Sequence, residues 1–92
     1  MESESVEVMD LYLAAYYLLK GCSLERVEPV RVGTTVSAYT IIVRGEAPVI
    51  MEVQRTFFNS SAEVNLLAFR NAYNHVNNAI HHAKRAVSRG EA

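Results

Sequence analysis

The sequence predicts a single α+β domain in the order helix, β-hairpin, helix, short strand and long C-terminal helix, with a small antiparallel sheet packed on the helices. Three observations predict it. In residues 66–87, the apolar residues Leu66, Phe69, Tyr73, Val76, Ile80, Ala83 and Val87 recur at alternating steps of three and four, which puts them on one stripe of a helix. Residues 36–44 are dominated by β-branched and aromatic side chains, the composition of a strand. Asp10 precedes an apolar run that stops at Gly21, the pattern of a capped helix with a residue able to take positive φ just past its end.

The elements follow in order. Residues 1–9 read as a flexible acidic tail, residues 10–88 as the folded domain, and residues 89–92 as a second short tail. The first helix runs to about Lys20. Its apolar residues cover two stripes, so it predicts a helix packed on two sides. Residues 24–32 form a strand in which Pro29 cannot donate to a ladder, and this places the strand at an edge. Gly33-Thr34-Thr35 turns the chain into the strand at 36–44, the centre of the sheet, with no polar face of its own. Pro48 suits the first turn of a second helix ending near Phe58. Two starts are open for the last helix. Ser60 and Glu63 have capping-box spacing, whereas a short strand at 62–64 with Asn65 as cap starts it at Leu66, and the second is preferred.

Composition sets exclusions. Ninety-two residues fit one domain with a modest core. One cysteine, Cys22, makes no internal disulfide and points to a reducing, cytoplasmic setting. The acidic start lacks the basic residues of a secretory signal, and no apolar run approaches the ~20 residues of a membrane span. Net charge is −1, with acids gathered in residues 1–19 and bases in residues 66–92. An acidic front and a basic rear can pair within one molecule or between two, but helix dipoles, which favour acids near helix starts and bases near helix ends, give the preferred reading and need no partner.

No motif for chemistry stands out. His75, His81 and His82 lack the i, i+4 spacing of paired metal ligands. His75 and His82 share a face but lie about 10 Å apart along the axis, too far for one ion held at ~2 Å. Cys22, past a helix C-terminus, lacks the electropositive setting of a reactive thiol. Serines without an elbow motif and scattered glycines predict neither a nucleophile nor a phosphate loop. The expectation is a non-enzymatic protein with no catalytic residue, no metal and no cofactor.

The residues from Asp10 to Gly21 (DLYLAAYYLLKG) resemble the opening helix of a family of small bacterial and phage domains of unknown function. Phe57-Phe58-Asn59, ending the second helix, and residues 62–69, entering the last, are similar to that family's later features. The resemblance spans residues 10–83 and implies the fold above. It also implies a Gly after Asn59, where this chain has Ser60, and it implies no catalytic residue.

Function is therefore expected from surfaces. At 1.5 Å per residue the last helix is about 32 Å long, more than the first helix can cover. Its distal seam, Val76, Ile80, Ala83 and Val87, is the predicted contact surface for a second copy or another protein, with Arg70, His75, His82 and Arg85 as polar rim. The alternative is a nucleic-acid accessory protein using Arg70, His75, His82, Lys84 and Arg85, donor-rich residues that suit phosphates and base edges. Few bases and a negative net charge weigh against it.

Overall fold

A computed structural model describes residues 3–90, which form three helices and one three-stranded antiparallel sheet. The order is β1 (Ser3–Val8), α1 (Leu11–Leu19), β2 (Ser23–Val32), β3 (Thr35–Glu46), α2 (Ala47–Phe58) and α3 (Leu66–Ser88). β3 lies between β1 and β2. The α+β class, the hairpin at Gly33 and Thr34 and the long last helix all match the sequence reading. Met1, Glu2, Glu91 and Ala92, the outermost parts of the two predicted tails, lie outside the described residues.

Two local expectations are corrected. Most of the predicted N-terminal tail is strand β1, in register with β3 from Ser3 opposite Glu46 to Val8 opposite Ile41. Val6 and Val8 lie one residue apart, so both join the core face, while Ser5 and Glu7 take the other face. The acidic composition hides this two-residue alternation. Residues 62–64 form no strand: the sheet edges are already β1 and β2, and the segment crosses exposed between α2 and α3.

Local chemistry sets the helix ends. The Asp10 carboxylate accepts the Tyr12 N–H at 2.8 Å and the Leu13 N–H at 3.3 Å, capping α1. Gly21 sits at φ 100° just past α1, with Cys22 N–H donating to the Tyr17 carbonyl and Gly21 N–H to that of Leu18. The end of α2 repeats this arrangement. Ser61 N–H donates to the Thr56 carbonyl, and Ser60 stands where Gly21 stood, at φ 63°. A residue with a Cβ is strained there, and this is the position where the family resemblance implies Gly. Ser60→Gly is expected to stabilise the protein by roughly 0.5 kcal/mol, the strain relieved less the added backbone entropy of glycine, read as a raised denaturation midpoint. The Asn65 carboxamide oxygen accepts the Ala68 N–H at 2.9 Å, so α3 starts at Leu66.

The helices cover one face of the sheet. Ile41 and Val43 of β3 meet Ala14, Tyr16 and Tyr17 of α1, Ile50 and Val53 of α2, and Val76 and Ile80 of α3 in one core. α1 is packed on two sides, as its double stripe predicted: its Tyr16 ring lies 6.1 Å from Phe57 of α2, and its Tyr12 ring reaches α3. The opposite sheet face is charged. Glu25 pairs with Arg26 and Arg44, Arg26 also pairs with Glu28, and the Ser5 hydroxyl donates to Glu25. Ile42 is buried on that face between Glu7 and Arg26 in register, where long side-chain stems cover it.

One glycine is required by packing. A Cβ at Gly45 would overlap the sulfur of the buried Cys22 and come within 3.3 Å of its Cβ. Gly45→Ala is expected to destabilise the fold by about 1–3 kcal/mol. Adding Cys22→Ala removes the overlapping atom, so the double variant should recover most of that loss relative to Cys22→Ala alone. A four-member set of denaturant unfolding curves reads the coupling, and strictly additive losses would contradict the contact.

Candidate interaction surface

The stripe of α3 divides into two halves with different fates. Val76 is 0 % exposed and Ile80 8 % exposed, both inside the core, while Ala83 and Val87 are half-buried. Two of the four expected contact residues, Val76 and Ile80, are thus used inside the monomer, while Ala83 and Val87 keep part of their surface. The physical reason is that α3 packs on β2 as well as on α1, so its stripe has more than one helix to bury against, and Val76 and Ile80 join the common core. The overhang lies at the other end. Leu66 is 81 % exposed and Leu67 58 % exposed in the first turn of α3.

This first turn joins an aromatic cluster. The Tyr12 ring of α1 stacks on Phe69 at 6.0 Å and on Tyr73 at 5.5 Å, with interplanar angles of 23° and 27°. Leu66 precedes Phe69 by three residues and so lies on the same stripe, one turn earlier. Tyr12 makes both contacts and is still 60 % exposed. The result is an apolar ledge across the start of α1 and the first two turns of α3. Asp10, the cap of α1, precedes Tyr12 by two residues, and Arg70 follows Phe69 in α3. Arg70 is exposed and has no ion pair among the described residues. A second exposed ring, Phe58, closes α2 in edge-to-face contact with Phe57 at 5.4 Å.

The sequence alone does not show this ledge: Tyr12 belongs to neither apolar stripe of α1, and Leu66 opens a seam whose distal end is the expected overhang. The available signal was the pair Leu66-Leu67, of which only Leu66 falls on the stripe of Phe69 and Tyr73.

The polar rim sits on the solvent side of α3. Arg70, His75, His82, Lys84 and Arg85 are all exposed. His81, His82, Asn78 and Arg85 line a shallow polar groove of about 340 Å³. Among the described residues, no three His, Cys, Asp or Glu side chains lie close enough to hold a metal ion. Burial raises the Cys22 thiol above its ordinary pKa, so it sits in the core as a neutral, unreactive group. No helix among the described residues is long and apolar enough to cross a membrane.

Compared with family models, curated proteins and solved structures, the chain matches none.

Proposed function

We propose that the protein is a non-enzymatic assembly module that pairs with a second copy of itself through the ledge formed by Tyr12, Leu66, Leu67, Phe69 and Tyr73. The observation that carries this reading is the exposure of two adjacent leucines beside a doubly stacked, exposed tyrosine. Contiguous apolar surface of this kind is costly in water and is commonly covered by a partner. Aromatic rings already fixed by stacking lose little entropy on binding, which suits them to be anchors.

A like partner fits the surface, because a two-fold axis through the ledge sets the exposed apolar residues of one copy against the same residues of the other. The polar face of α3 stays outward in such a pair. We place the setting of this assembly in the cytoplasm of a bacterial or phage-infected cell, in line with the single reduced cysteine and the family resemblance.

Light scattering over a dilution series tests the reading. The expected mass is twice that of the chain at high concentration, falling toward one chain on dilution. A single-chain mass at every concentration would remove the proposal. Salt-sensitive binding of random duplex DNA by a single chain would instead favour the nucleic-acid alternative on α3.

A further inference from the structure

A cleft of about 350 Å³ opens between α1 and α2, and none of its lining residues belongs to the ledge. Its volume falls within the range of small-molecule sites. Pro48, Val49 and Val53 of α2 give it an apolar wall, and Tyr16 and Lys20 of α1 stand opposite. The two helices are tied there by one hydroxyl bridge: Tyr16 Oη and Thr56 Oγ1 are 2.7 Å apart.

The hydrogen bonds of the cleft decide what it can hold. Thr56 Oγ1 donates to the Glu52 carbonyl at 3.0 Å, so in the bridge the Tyr16 hydroxyl donates to Thr56. Both hydroxyl protons are therefore used within the protein. Glu52, at the rim, accepts two bonds from Arg55, at 3.1 and 2.6 Å. Those bonds, opposed by desolvation and aided by the Arg55 charge and then by Lys20, hold its carboxyl below the ordinary range. Lys20 remains. Its Nζ lies 5.5 Å over the Tyr16 ring, and it has no carboxylate within ion-pair distance among the described residues. It is the one lining side chain with donors free for a ligand.

We propose that this cleft binds a small apolar monocarboxylate, with the carboxylate on Lys20 and the hydrocarbon body against Pro48, Val49 and Val53. Two sources share that chemistry: a free branched-chain acid and the C-terminal apolar residue of a polypeptide. The site is independent of self-association, since no ledge residue enters it.

The test is an NMR titration of the full ¹⁵N-labelled chain with three probes: 4-methylpentanoate, its neutral amide, and a short acetylated peptide ending in leucine. Saturable shifts are expected at the backbone amides of Lys20, Val49 and Val53 with one or both carboxylates, at a Kd of about 1 mM. The neutral amide should bind about tenfold more weakly, the loss of one charge-assisted contact. Lys20→Met should weaken the carboxylates by a similar factor, and Lys20→Arg should retain them. Tighter binding of the free acid assigns the first source, and tighter binding of the peptide the second. No saturable shift with either carboxylate up to about 20 mM overturns the proposal. So does equal binding of acid and amide on the unaltered chain, or undiminished binding by the Lys20→Met variant.

Discussion

Val76→Asp is expected to unfold the protein or to leave it with only a small fraction of its stability. Val76 is fully enclosed in the core beside Ile80, Ile41 and Tyr17. The substitution forfeits about 1.5–3 kcal/mol of apolar burial and adds several more for a carboxyl group without a partner. Domains of this size hold roughly 5–10 kcal/mol in all. A carboxyl forced into that site has its folded pKa raised above its unfolded one, because desolvation disfavours the charged form. The damage should therefore ease as pH falls toward the acid range and be complete at neutral pH. Circular dichroism and thermal unfolding at two pH values check this. A folded Val76→Asp variant at neutral pH, altered only in its association state, would restore the distal seam as a contact surface and contradict the present assignment.

The double variant Leu66→Asp with Leu67→Asp should behave in the opposite way. Both side chains are exposed, so their loss costs the monomer little, and acids in the first turn of α3 suit its dipole. Thermal stability of the dilute protein should stay within about 1 kcal/mol of the parent. Association should fail. Removing two anchors at the centre of an interface costs about 2 kcal/mol or more each, and two pairs of like charge meet across a two-fold axis besides. The dissociation constant should rise by more than about a hundredfold. Unchanged mass by light scattering in this variant would place the contact elsewhere.

The contrast between these two variants shows how far the sequence could be read. The periodicity of α3 announced a helix with one apolar stripe, and Asn65 announced its start. Periodicity says which side of a helix is greasy. It does not say which length of that side is covered, because coverage depends on what crosses it. Here α3 packs on β2 as well as on α1, and the contact with β2 joins residues far apart in the chain. The same limit hid β1. Its short alternation of Val6 and Val8 with acids has little weight alone and gains meaning only when β3 offers a free edge. The caps were legible throughout, since Asp10, Gly21 and Asn65 act on their own neighbours.

The candidate surfaces were partly legible in the same sense. Arg70, His75, His82, Lys84 and Arg85 could be assigned to solvent from the helical wheel alone, and they are exposed. The ledge could not, because Tyr12 gains its place from rings contributed nearly sixty positions later. The cleft at Lys20 was less accessible still. Its significance rests on which hydroxyl donates to which acceptor between α1 and α2, and no spacing rule encodes that.

Hydroxyl-radical footprinting at low and high protein concentration tests the central assignment most directly, because it reads both halves of the α3 stripe in one sample. Tyr12, Leu66 and Leu67 should be labelled in dilute solution and protected on concentration, while Val76 and Ile80 stay unlabelled throughout. Labelling of Val76 and Ile80 in dilute solution, or unchanged labelling of the leucines on concentration, would contradict it.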